Sequence, residues 1–118
     1  VSLITSVLIH GRDVEPAIDR LNRWLDSRGQ LHLEAFTKVP EDGLISVGPK
    51  CFNPDVWIGA FNFADVDELL EQLSLPATWD GILWPAAVVV DTEGDECTVV
   101  LARAGRVEVI GDRGAVAR

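Results

Sequence analysis

The chain has 118 residues, of which 47% are hydrophobic and 25% charged, and its formal net charge is −9. That balance excludes a disordered chain and argues for one domain around one core. No apolar run approaches the roughly 20 residues of a membrane span, and a strongly acidic half repels phosphate, so neither membrane nor direct nucleic-acid binding is expected.

The opening run, VSLITSVLIHG, has no basic residue ahead of it and no small-residue cleavage pattern after it, so it reads as a strand and not a signal peptide. Leu3, Thr5, Val7 and Ile9 alternate there with Ile4, Ser6, Leu8 and His10. Gly11-Arg12 turns the chain into a helix expected to start at Asp13, whose carboxylate is placed to cap it. Val14, Ala17, Ile18, Leu21, Trp24 and Leu25 give that helix one apolar stripe, and Gly29 ends it. A second strand is expected over 31–39, a turn over 40–43, a short return strand over 44–47 and irregular chain over 48–54. Residues 57–63, WIGAFNF, read as a strand with Trp57, Phe61 and Phe63 on one face. Gly59 on that same face implies a bulge or a close approach by another group.

A second helix starts at Asp65, with Glu68 three residues on as in a capping box, and Pro76 stops it. Residues 76–85, PATWDGILWP, read as a loop holding Trp79 and Trp84. An antiparallel meander over 86–90, 97–103 and 107–110 follows. One α+β domain over 1–110 and a flexible tail over 111–118 complete the expectation.

The stretch DVEPAIDRL at 13–21 recurs as DVDELLEQL at 65–73, each time after a strand. Two strand-helix units predict a ferredoxin-like split β-α-β sandwich, with two helices on one face of an antiparallel or mixed sheet and extra C-terminal strands. Several strands are apolar on both faces, so the face without helices must also leave water. Either a loop, from 40–56 or 79–84, or a second subunit would cover it, and a homodimer is the expected answer.

Charge is unevenly placed. From 52 to 102 there are ten acidic residues and no Lys, Arg or His, whereas the first helix region carries Arg12, Arg20, Arg23 and Arg28. Such an acidic half suits a basic protein partner. The partner-binding residues expected from charge and aromatic content are Asp67, Glu68, Glu71, Trp79, Asp80 and Trp84. In a different class of function, His10 at a strand end would act as a general base, with Trp57 and Phe61 lining a pocket between sheets. His10, His32, Cys51 and Cys97 lack metal-ligand spacing, and the lone cysteines fit a reduced, cytoplasmic protein. The acids of DTEGDE at 91–96 read as a hairpin tip because they lack calcium-loop spacing. No glycine-rich phosphate loop or nucleophile elbow is present, and nothing calls for a cofactor.

The segment VWIGAFNFADVDELLEQL resembles small proteins of high-GC actinobacteria and their phages, as does the order of parts around it. The likeness covers about two thirds of the chain. It implies no activity and transfers no catalytic residue. The expected function is therefore a non-enzymatic acidic interaction domain, accessory, phage-encoded or immunity-like. The alternative is a dimeric α/β-barrel ligand binder or cofactor-free enzyme with its pocket near His10.

Overall fold

Alternation along the first strand decides which side of the sheet becomes the core. In β1 (Ile4–Gly11), Thr5, Val7 and Ile9 are buried while Ser6, Leu8 and His10 are exposed, the period-two pattern of a sheet covered on one face. The computed structural model describes residues 4–28, 36–38, 55–62, 64–93, 96–103 and 105–111. After β1 come α1 (Glu15–Arg28), β2 (Thr37–Lys38), β3 (Asp55–Asn62), α2 (Val66–Ser74), a 3-10 turn (Pro76–Trp79), β4 (Ala86–Thr92), β5 (Glu96–Arg103) and β6 (Arg106–Gly111). The strands form one six-stranded sheet in the order β2-β3-β1-β4-β5-β6, and every adjacent pair is antiparallel. The fold is thus α+β, with two strands beyond the four of a split β-α-β sandwich.

The covered face carries Thr5, Val7 and Ile9 of β1, Phe61 of β3, Val88 and Val90 of β4, and Val100 and Ala102 of β5, all buried. The buried stripes of α1 (Ala17, Ile18, Leu21, Leu25) and α2 (Leu69, Leu73) join these residues in a single core. Gly59 is opposite Val7 in an uninterrupted β1–β3 register, so it marks a close approach and not a bulge. A Cβ there would lie 2.8 Å from Phe61 Cζ and 3.1 Å from Phe36 Cδ1. The missing side chain is what lets the Phe36 and Phe61 rings meet edge to face at 5.6 Å.

The two helix starts use the repeated sequence differently. Asp65 caps α2, accepting from the Glu68 amide at 3.1 Å. The Glu68 carboxylate pairs with Arg28 Nη2 at 2.6 Å, tying the last turn of α1 to the first turn of α2. The first copy departs from the expectation: Asp13 takes a φ of 53° ahead of the helix, and the buried Val14 supplies the first helical acceptor, to Ala17 and Ile18. Gly11 is the reason, because Val14 packs where a Cβ on that glycine would stand, at 2.6 Å from Val14 Cγ1. Asn22 on α1 then anchors the chain entering β2, accepting from the Phe36 amide at 2.8 Å and donating to the Phe36 carbonyl at 3.4 Å.

The tryptophan segment is more ordered than a plain loop. Trp79 is 2% exposed, and its indole N–H donates to the Leu73 carbonyl at 2.7 Å. Thr78 Oγ1 donates to the Gln72 carbonyl, and Arg20 Nη1 donates to the carbonyls of Thr78 and Asp80. The Trp79 and Thr78 bonds satisfy carbonyls in the last turn of α2, and the Arg20 bonds tie the 3-10 turn to α1. The meander runs as expected, but β6 includes Gly111, opposite Thr98, so the strand extends one residue into the expected tail. The expected return strand over 44–47, most of the expected strand over 31–39, Gly29, Phe63 and the rest of the tail lie outside the described residues. No helix among the described residues is long and apolar enough to cross a membrane.

Candidate functional site

The face of the sheet that the helices leave uncovered is the main unassigned surface. Strand register places its side chains in rows. Ile58, Leu8, Val89, Val99 and Ile110 are successive partners across β3, β1, β4, β5 and β6, and all lie on the uncovered face. The next row toward the β5–β6 turn is Val56, His10, Ala87, Leu101 and Glu108. Leu8 is 41% exposed, Ile58 47% and Ile110 52%, while Ala87, Val89, Val99 and Leu101 are half-buried by their neighbours. An apolar surface spanning five strands is more than the scattered hydrophobic residues of an ordinary exterior.

Charge frames this surface. Asp91 lies beyond the Leu8 row at one end, with Ser6 and Cys97 as its strand partners. At the other end Arg103 and Arg106 stand opposite each other across the β5–β6 turn. Neither arginine has an ion-pair or hydrogen-bond partner among the described residues. Like charges placed directly across a ladder repel each other.

The expected partner-binding residues do not form one site. Asp67 and Glu71 are exposed on α2, but Glu68 is engaged by Arg28. Trp79 is in the core, so it cannot offer its ring to a partner, and this corrects its assignment. Asp80 is exposed, with its carbonyl held by Arg20. Trp84 is 44% exposed and lies under the Arg12 guanidinium, 4.7 Å from ring centroid to Cζ, beside Leu83 at 83% exposure. Trp84 precedes β4 at the sheet end opposite the start of α2, so the acidic helix start and the exposed tryptophan lie toward opposite ends of the strands.

The pocket expected around His10 is also not assembled. Ile9, not His10, is the register partner of Trp57, and Thr5 is the partner of Phe61. Phe61 is 3% exposed and Trp57 packs against the core on the covered face, while His10 points to the opposite face. A one-residue difference in register parity separates the base from its proposed walls. The Trp57 indole N–H is buried with no partner among the described residues. An open cleft of about 350 Å³ lies between the 3-10 turn and the β5–β6 turn, lined by Pro76, Ala77, Trp79, Asp80, Gly81, Ile82 and Gly105. Among the described residues Asp80 is its only ionisable lining residue, and they supply no acid–base pair or nucleophile.

Among the described residues no three His, Cys, Asp or Glu side chains gather closely enough to hold a metal ion. His32 and Cys51 lie outside those residues, and Cys97 is exposed on the uncovered face. In the DTEGDE turn, Glu93 Oε1 accepts from the Ile4 amide at 2.7 Å, so one acid of the hairpin tip closes the start of β1. No family model, curated protein or solved structure matches the chain.

Proposed function

We propose that this chain is a non-enzymatic protein-interaction domain whose contact surface is the uncovered sheet face. The observation that carries the reading is the apolar row Ile58, Leu8, Val89, Val99 and Ile110, in which Ile58, Leu8 and Ile110 are exposed and Val89 and Val99 half-buried. Burying exposed apolar surface is favourable by about 25 cal/mol per Å², and nothing about this row serves a reaction. Its breadth across five strands suits a protein partner better than a small molecule, which needs a concave site. The chain's acidity plays a supporting part, favouring partners of positive charge.

The first four strands and two helices also support a finer reading of the fold. The run β2-β3-β1-β4, antiparallel throughout, is the strand order of a ferredoxin-like split β-α-β unit, and β5 and β6 extend it past β4. In that reading the sequence repeat is the unit's own symmetry, and the meander enlarges the uncovered face.

A photo-reactive residue built into the full-length chain in cells tests the contact surface. With the probe at Val89, illumination is expected to yield a covalent adduct with a polypeptide; with the probe at Glu71 on α2, it is not. Adducts from Glu71 and none from Val89 would move the contact to the acidic helix and refute the reading. A Val89 adduct formed only with residues 39–54 of the same chain would refute it as well.

A further inference from the structure

Strand β6 is a sheet edge: among the described residues no strand lies beyond it. Arg103 and Arg106 are partners across a two-residue turn, which closes on a hydrogen-bonded pair, and bonded and unbonded pairs alternate from there. The backbone N–H and C=O groups of Val107, Val109 and Gly111 therefore point away from β5. Proteins blunt such edges with prolines or bulges. β6 has no proline, and its register against β5 is unbroken over all six residues. Both sides of the edge are also open and apolar. Val109, opposite the buried Val100, is 50% exposed on the covered side, and Ile110 is 52% exposed on the other.

The side chains of this edge fit a second copy of the same strand. Arg106 and Glu108 stand two residues apart on the uncovered side, both exposed, and neither has an ion-pair or hydrogen-bond partner among the described residues. Antiparallel partners share a face, so two copies of β6 can pair about a two-fold axis only with residues of matching parity. An axis through Glu108 sets that acid against its own copy, and like charges placed opposite repel. An axis through Val109 sets Glu108 against Ile110 and carries Arg106 past the end of the partner strand. An axis through Val107 pairs Arg106 of each copy with Glu108 of the other, so the opposite-charge pair forms twice.

The same register also matches shape. Val109 of the second copy comes abreast of Gly105, which lines the open cleft with Pro76, Ala77 and Ile82. A Cβ on Gly105 would meet nothing within 4 Å, so there is room for the incoming side chain. Because α2 ends beside this cleft and starts toward the far end of the strands, the acidic starts of two α2 helices stay apart.

We infer that β6 pairs antiparallel with β6 of a second copy about a two-fold axis at Val107, joining two six-stranded sheets into one. This pairing is independent of what the uncovered face binds; that face stays open in the pair and becomes twice as wide.

Sedimentation of the purified full-length protein over about 1 μM to 1 mM tests it, with circular dichroism confirming that each variant is folded. The wild type is expected to approach twice the 12.9 kDa chain mass as concentration rises. Arg106→Glu and, separately, Glu108→Arg set like charges opposite each other in both halves of the pair. Each should raise the dissociation constant about tenfold or more, and the two combined should restore association. Val109→Pro removes an outward-pointing amide that β5 does not use, and should leave a folded monomer. A wild type that is monomeric at every concentration would overturn the pairing. So would a dimer indifferent both to the reversals and to Val109→Pro. A dimer broken by Val109→Pro but indifferent to the reversals would overturn the axis at Val107. None of these failures touches the Val89 crosslink, on which the reading of the uncovered face stands or falls by itself.

Discussion

Leu8 and Val89 are register partners on β1 and β4, on the side of the sheet that neither helix covers. One step along each strand, Ile9 and Val88 are partners in the fully buried core. The same two strands thus build a core on one face and an apolar exterior on the other. Substitutions on the two faces should separate into those that cost stability and those that cost association.

Gly59→Ala tests the covered face. Its new methyl group would stand within 3.1 Å of both the Phe61 and Phe36 rings. Overpacking of this kind costs about 1–3 kcal/mol, which urea denaturation should report as a lower midpoint.

Trp79 separates burial from binding. Trp79→Phe keeps most of the apolar volume but leaves the Leu73 carbonyl without its donor. The expected loss is about 1–3 kcal/mol of stability, with no change in association beyond that loss. A variant of unchanged stability that associates less would return Trp79 to the partner-binding role expected from sequence.

The α2 start gives a ranked pair. Asp65→Ala removes the cap on the Glu68 amide and should cost about 1 kcal/mol. Glu68→Gln weakens only the ion pair with Arg28, whose side chains are 27% and 44% exposed, so about 0.2–1 kcal/mol is expected. Thermal melts at low and high salt should show the second effect shrinking with salt and the first persisting.

Asn22 holds the chain as it enters β2. Asn22→Ala removes both bonds to Phe36, and a lost pair of this kind costs about 1–3 kcal/mol. The amide of Phe36 should exchange faster with solvent in the variant, while amides in the β4–β5 ladder keep their protection relative to global stability.

The readability of these features in the sequence follows from how local each one is. The Asp65 cap is legible because its donor is three residues away. The Asp13 cap was expected from its carboxylate and fails, because a contact between Val14 and Gly11 shifts the helix start by one residue. Trp79 looked like an exposed loop aromatic; its burial depends on the end of α2 folding back over it, which no local pattern encodes. His10, Trp57 and Phe61 looked like neighbours on adjacent strands, but register decides which face each one takes, and composition does not carry register. The uncovered face was partly legible, since β1, β4 and β5 are apolar at both parities. Its polarity was not, because Asp91 and Arg103 acquire a common surface only when the meander pairs.

The most direct measurement is photo-crosslinking of the full-length chain in cells, with the probe at Val89 and, separately, at Glu71. The account predicts a covalent polypeptide adduct from Val89 and none from Glu71. Adducts from Glu71 and none from Val89 would contradict it.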